Sequence, residues 1–339
     1  MDLNGAELSR AYWAQVVEPL VRGRWPGLRV AAARLGSGSD VLGLDDAMSR
    51  DHDWGLRLDL LVPAAEVSEV ESHLEASLPE SFLGHPVRFA TTWEPLVRHR
   101  VRVDSVRGLA VSRLGVDTTC DLSIEDWLSL TGQAVLEVTA GQVFTDDAGE
   151  LDGIRRRLEW YPDDLWRHLV ATDWARLAQE LPFVGRTGER GDDLGSRVIA
   201  ARLAHVAMHL AHLLERTWPP YAKWLGTSLL TLPGASAVAS PLAEAVSTTA
   251  WRAREAALVE ALRVLNGVQR TVGLPAVADP VEPFWDRPCV GVREDVVRTL
   301  EDSVTDPEVR ALPRGVGSVD QWSDNVDVLM HPARRRPLR

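Results

Sequence analysis

Residues 36–59 read GSGSDVLGLDDAMSRDHDWGLRLD. The apolar stretch Leu28–Leu35 before them reads as a strand, so the glycine–serine pairs fall on the turn that ends it. Asp51-His52-Asp53 opens the next extended stretch, Asp51–Val62. In it Leu56, Leu58 and Leu60 point one way, Arg57 and Asp59 the other. Strand geometry puts Asp51 and Asp53 on one face and His52 on the opposite one. Two adjacent carboxylates repel each other unless a cation neutralises them, and they are hard oxygen donors suited to Mg²⁺. A glycine turn lets backbone N–H groups approach a phosphate with no Cβ in the way. Together these are the minimum set for metal-assisted phosphoryl or nucleotidyl transfer, with two ions about 3.5–4 Å apart. The bland reading is a solvated loop before a surface strand. The density of acids at Asp45, Asp46, Asp51 and Asp53 argues for a cation instead.

Working outward, Leu8–Val21 has the spacing of an amphipathic helix, and Ala64–Leu78 follows Pro63 as another. His85–Ala90, Arg98–Val106 and Ala134–Thr139 read as further strands. Beyond residue 150 strand signals nearly vanish. Ile154–Glu159, Leu165–Leu181, Gly195–Arg216, Tyr221–Leu230, Leu242–Val268 and Val292–Val304 all carry helical spacing or composition. The expected organisation is α+β: a small mixed-sheet domain over 1–149, an all-helical domain over 150–330, and a basic tail over 331–339. No internal repeat appears.

The chain has 339 residues, 45% hydrophobic and 25% charged, with a formal net charge of −12. That is globular composition, and an acidic chain is a poor general nucleic-acid binder, although local basic sites remain open to it. Cys120 and Cys289 are the only cysteines, which suits a reducing compartment better than a disulfide scaffold. MDLNGAELSR lacks the basic start and apolar core of a signal peptide. The most apolar stretch, 198–214, is broken by Arg202, His205, His209 and His212. A cytoplasmic protein without a membrane segment is expected. The 13 tryptophans are compatible with a homodimer. Lys223 is the single lysine. Either it escaped a drift toward arginine, or a compact ammonium is needed there.

Gly38-Ser39, eleven residues, then Asp51-His52-Asp53 resembles the nucleotidyltransferase superfamily, its polymerase β-like and aminoglycoside nucleotidyltransferase-like members. Gly43, four residues past Ser39, favours Gly38-Ser39 over Gly36-Ser37 as the phosphate turn. More narrowly the chain resembles the DUF4037 family, on SRDHDWG (49–55), FVGR (183–186), GDDLGS (191–196), AARL (200–203), LLER (213–216), PPYAKWLGT (219–227) and GSVDQWSDNVDVL (316–328). The resemblance implies a nucleotidyltransferase domain followed by a helical domain, with ATP as donor and Mg²⁺ as cofactor. Gly38 and Ser39 then hold the triphosphate, and Asp51 and Asp53 bind metal. It also implies a third carboxylate on a neighbouring strand. Asp59 is six strand residues from Asp53, roughly 20 Å, too far to share an ion. Asp104 is the better candidate, since Val101 and Val103 can face the core and Asp104 the open side. A lysine from a C-terminal helix reaches the triphosphate in such proteins, and Lys223 is in place for that role.

Other features have plainer readings. Arg186, Arg190 and Arg202 can serve the same phosphates, or pair structurally with Asp192, Asp193 or Glu215. His205, His209 and His212 share one helical face at metal-binding spacing, yet no carboxylate joins that stripe, so buried or interface histidines are expected. Arg202 and His209 loosely match a ribonuclease motif, and such short pairs arise by chance. Trp54 lines the nucleotide pocket or packs under the sheet. Asp320–Asp327 is too polar for a plain helix. The expected activity is Mg²⁺-dependent transfer of AMP from ATP to a hydroxyl of a small molecule or protein. The rivals are a non-catalytic nucleotide sensor and an antitoxin-like partner protein.

Overall fold

The computed structural model describes residues 3–46, 54–92 and 94–335. The chain divides into two compact units. One comprises Met1–Ser123, Gln133–Glu159 and Met330–Arg339; the other comprises Ile124–Gly132 and Trp160–Leu329.

The sheet unit opens with one helical run: α1 (Gly5–Tyr12), a π turn (Trp13–Val17) and α2 (Glu18–Arg24). Asn4 starts it through a capping box: its Oδ1 accepts the Glu7 N–H at 2.8 Å, and its own N–H donates to Glu7 Oε2 at 3.0 Å. Pro19 lacks an N–H, and the π turn immediately before α2 accommodates that gap in the ladder. Then come β1 (Ala31–Ala33), β2 (Arg57–Leu61), α3 (Val67–Ser77), the short β3 (Ser81–Phe82), β4 (His85–Pro86) and β5 (Arg88–Phe89), and β6 (Arg98–Asp104). After these follow α4 (Val106–Leu114), then α5 (Ile124–Ser129), which belongs to the other unit, and α6 (Gly132–Thr139), β7 (Val143–Asp146) and α7 (Glu150–Arg157). The main sheet has the order β5-β6-β2-β1-β7, with β2 and β6 parallel and the other pairs antiparallel.

Register decides which side chains share a face. Arg57 lies opposite Arg100, Asp59 opposite Arg102 and Ala33, and Leu61 opposite Asp104. Leu58, Leu60, Val101 and Ala32 occupy the other face. They pack with Tyr12, Trp13, Val17 and Val21 from the N-terminal run and with Val70 and Leu74 from α3. The expected alternation of Leu56, Leu58 and Leu60 is therefore observed, and all three are buried. Trp54 packs against this same core and meets His85 edge-on at 5.2 Å.

Residues 134–139, expected as a strand, form α6 instead. A short apolar run has no periodicity that separates strand from buried helix. Helical spacing is what lets Glu137, one turn beyond Gln133, meet Arg113 at 3.0 Å. α7 stays with the sheet unit through Arg155, which donates to the carbonyls of Val138 and Gly141. The segment expected as a tail docks: Pro332–Arg334 form a 3₁₀ turn at α4, and Arg335 is buried.

The helical unit is built on α8 (Asp163–Glu189), α9 (Asp193–Leu214), α10 (Ala222–Leu229), α11 (Ala235–Ser247) and α12 (Trp251–Thr271). The stretch 242–268, expected as one helix, is broken at Thr248–Ala250. The fully buried Arg254 holds the break, donating to the carbonyls of Thr248 and Thr249 and to Asp193 and Ser196. A hairpin of β8 (Val281–Pro283) and β9 (Val290–Val292) follows, where no strand was expected. The unit ends with α13 (Glu294–Asp302), α14 (Pro307–Arg310), α15 (Val319–Trp322) and α16 (Val326–Met330). The polar 320–327 stretch is thus two short helices, anchored by Gln321, which donates to Leu169 O at 2.7 Å and Asp173 Oδ1 at 2.8 Å. Among the described residues no helix is long and apolar enough to cross a membrane.

Candidate functional site

The turn after β1 is wrapped around an ion pair. Arg34, 2% exposed, makes a bidentate contact with Asp40: Nε to Oδ2 at 2.7 Å and Nη2 to Oδ1 at 2.9 Å. The same guanidinium donates to the carbonyls of Leu35 and Ser37. Gly38 has φ +144°, and a Cβ there would collide with Asp40 Oδ1 and stand 2.7 Å from Arg34 Nη2. Its glycine is required by the ion pair as well as by the turn. Gly36 N–H is tied to Glu137 O at 2.7 Å. Ser39 O accepts the Leu44 N–H at 2.8 Å, closing the loop. Asp45 accepts the Gly5 N–H at the start of α1, so this acid serves a helix N-terminus.

Beside the turn, a cavity of about 310 Å³ runs along β2 and β6. Arg34, Arg57, Arg98, Arg100, Arg102 and Arg113 line it, with Asp59 and Glu71 as its acids. Each of four arginines has an acidic neighbour: Asp40 for Arg34, Glu94 for Arg98, Asp104 for Arg102 and Glu137 for Arg113. Arg100 donates to the carbonyls of Phe89, Glu94 and Leu96. Burial pushes the Arg57 guanidinium down to about 9, and the cations of Arg34 and Arg113 push the same way, opposed by Asp40 and Asp59. An anion placed there relieves the crowding. Rigid guanidinium forks suit phosphate oxygens better than ammonium groups do.

The remaining candidates fall as follows. Asp59 is buried and accepts the Leu35 N–H at 3.1 Å, pinning the end of β1. Asp104 lies on the open face, opposite Leu61 at the exit end of β2. It accepts from Arg102 at 2.7 Å and from the Ser105 N–H at 2.8 Å. Asp51 and Asp53 lie outside the described residues. Among the described residues no group of three or more His, Cys, Asp and Glu side chains is placed to hold a metal. Asp104 is engaged by a cation of its own, Arg102.

In the helical unit Lys223 is the second residue of α10, exposed, with Nζ 4.8 Å from the Trp224 ring centre. Arg202 pairs with Glu180 rather than with Glu215. Arg186 lies over the Phe183 ring at 5.6 Å. Asp193 is taken by Arg197 and Arg254. His209 and His212 are buried, as expected of structural histidines. A carboxylate does join the stripe, however: Asp173 of α8 contacts His209 Nδ1 at 2.7 Å.

The arginines of the cavity are the residues that sequence reasoning missed. Their signal was present in Arg98-His99-Arg100-Val101-Arg102-Val103, a period-two run of cations.

Residues 127–225 match the family model DUF4037, a domain of unknown function. FVGR, GDDLGS, AARL and LLER lie inside that match, whereas SRDHDWG and GSVDQWSDNVDVL lie outside it. No curated protein matches the chain. Among solved structures, the chain is similar to a nucleotidyltransferase-like protein from Exiguobacterium sibiricum 255-15, at 13% identity and a TM-score of 0.35. The match covers 79% of this chain and 76% of that one.

Proposed function

We propose that the chain is a nucleotidyltransferase that seats a nucleoside triphosphate by its phosphates in the arginine-lined cavity and passes AMP from ATP to a hydroxyl. The observation that supports this is the cavity itself. Six guanidiniums converge beside a turn whose Gly38 is fixed by the Arg34–Asp40 pair. Arg57, half-buried, has the like charges of Arg34 and Arg113 nearby, which an incoming anion offsets.

Gly38 and Ser39 present the turn backbone to the triphosphate. Asp51 and Asp53 hold the divalent ion, with Asp104 as the third carboxylate. Mg²⁺, when bound, neutralises charge that develops on the transferring phosphoryl group. Lys223 supplies the ammonium for the departing pyrophosphate, a role carried by the family resemblance.

A second reading has an observation of its own. The open-face positions of β6 before Asp104 are Arg98, Arg100 and Arg102, and Asp104 is paired with Arg102. A strand so basic suits a sensor that binds nucleotide without turning it over. Titration calorimetry with Mg²⁺–ATP, together with a pyrophosphate-release assay over a panel of alcohols, separates the two. Binding with release supports transfer, and binding without release supports the sensor. Absence of binding, or binding untouched in Asp51→Asn with Asp53→Asn, overturns both. Release that survives in Asp104→Asn removes Asp104 from the catalytic set.

A further inference from the structure

α9 carries three histidines on one face, and the nucleotide reading uses none of them. His212 spends both ring nitrogens on local contacts, Nδ1 on Met208 O at 2.8 Å and Nε2 on the Ser228 hydroxyl at 2.9 Å. His209 differs. Its side chain is 8% exposed, and its Nδ1 is 2.7 Å from Asp173 Oδ2. The other oxygen of Asp173 accepts from Gln321 Nε2, which also donates to Leu169 O. Asp173 therefore has one orientation, and so does the imidazole. With a carboxylate on Nδ1, the neutral ring keeps its proton there and turns the Nε2 lone pair away from Asp173. Nε2 makes no hydrogen bond among the described residues.

His209 lines a cavity of about 20 Å³, which holds one group the size of a water. The whole lining falls between residues 205 and 329, inside the helical unit. Asp320 and Asp324 belong to it with His205, Tyr221 and Ser323, and among the described residues no Arg or Lys does. Asp320 is held in place by the Gly132 N–H at 2.8 Å. Two carboxylates around one small volume repel each other unless positive charge joins them. No three His, Cys, Asp or Glu side chains among the described residues are spaced for a metal ion. Hydrogen bonds span about 2.7–3.2 Å, longer than coordination bonds of about 2.0–2.6 Å. The same groups therefore suit a cation that binds through N–H donors.

We propose that this cavity binds the ammonium group of a small primary amine. The site stands on the helical unit alone and does not need the nucleotide reading. An ammonium offers three N–H donors and accepts nothing. His209 Nε2 accepts one of them. The carboxylates of Asp320 and Asp324 accept the others and supply the counter-charge, and the hydroxyl oxygens of Tyr221 and Ser323 are further acceptors in the lining. Pro219 and Leu225 form an apolar wall for the carbon that carries the nitrogen. A water fills the same volume but brings no charge to the two carboxylates. Asp173 is a positioning residue: by holding the proton on Nδ1 it keeps Nε2 an acceptor.

A proton and an ammonium compete for Nε2. The charged and titratable groups around His209 are Asp173 and Arg176 from α8, His205 from α9, and Asp320 from α15, with Asp324 just beyond it. Burial disfavours the charged ring, Asp173 and then Asp320 favour it against Arg176, and the balance raises His209 above the ordinary histidine value. His205 is pushed down by burial and by His209, against Asp324, so it stays neutral to lower pH. Amine binding is therefore strongest above the raised His209 value and weakens as pH falls through it.

The test uses the full chain, ¹⁵N-labelled at histidine, with methylammonium chloride as the probe. At pH 8.5 the His209 Nε2 resonance is expected to move saturably, with a dissociation constant on the order of 10 mM, near the ceiling for a ligand of two non-hydrogen atoms. Tetramethylammonium chloride at the same ionic strength has the charge without an N–H, and methanol has the size without the charge. Neither is expected to saturate in that range. Asp324→Asn, at an exposed position, weakens methylammonium about threefold to fivefold, and lowering the pH to 6 weakens it in the wild type. A resonance that does not move marks a water site only and overturns the proposal. A shift that tetramethylammonium reproduces is screening, one that methanol reproduces is a hydroxyl site, and either overturns it as well. So does an affinity unchanged in Asp324→Asn or one that rises on acidification. The wild-type measurements need no variant to fold, and their outcome is separate from that of Mg²⁺–ATP binding.

Discussion

The surroundings of half-buried Arg57 in the sheet unit and of buried His209 in the helical unit act on these two bases in opposite directions. Arg57 stands among Arg34 and Arg113, and burial adds to their repulsion, so its hold on a proton weakens to about 9. His209 has Asp173 within hydrogen-bonding distance, locked by Gln321, and its hold on a proton strengthens. The first environment gathers like charge around a cation, opposed by Asp40 and Asp59. The second supplies its own counter-charge and leaves a lone pair free. His212, one turn on, shows what burial does without a carboxylate: it falls to about 4.

The sharpest blow to this contrast is Asp173→Asn. Removing one partner of a buried charge pair costs about 3–5 kcal/mol, read as a loss of unfolding free energy in urea. A loss under 1 kcal/mol means that the pair is not a pair.

Next in size is the acid dependence of stability. Below pH 6.5 the unfolded chain protonates His212, whereas the folded chain refuses that proton until about pH 4. Stability therefore falls with pH across that window, by about 3 kcal/mol for the full shift, and His212→Gln removes the loss. His209 runs the other way. Its contribution is fully present below the ordinary histidine value and is lost as pH rises through the raised one. Unfolding free energies measured from pH 4 to 9 in the wild type and the two single variants resolve both slopes.

Arg57→Gln follows, weakening inorganic triphosphate binding by about 30- to 100-fold, or about 2–3 kcal/mol, by calorimetry. A change under threefold removes the anion site from the comparison. The smallest effect is expected for Gly38→Ala. Its positive φ and the collision with Asp40 cost about 1–3 kcal/mol of stability, visible as a lower melting temperature.

How much of this was legible follows from what each signal measures. The leucine alternation over 56–60 gave the sheet and its buried face, because period two has one geometric meaning in a strand. The turn at Gly36–Ser39 was legible for the same local reason. What escaped notice depended on pairing across the sequence. Six arginines from the turn after β1, from β2, β6 and α4 converge only through sheet register, and the net charge of −12 hid them. Asp173 lies 36 residues from His209, so helical spacing on α9 alone could not place a carboxylate beside the stripe. Asp104 had the right face, but register set it at the exit end of β2, beside an arginine two positions away on its own strand.

The sheet unit also recruits a late segment: Met330 onward belongs with it, and Pro332 fills the space beside Gly115, where a methyl group would stand 2.7 Å from the proline ring. Since the path leaves for 124–132, returns, leaves again at Trp160 and comes home at Met330, no single backbone cut yields two whole pieces. During synthesis the first half must wait, unfinished, for the segment from Met330 onward.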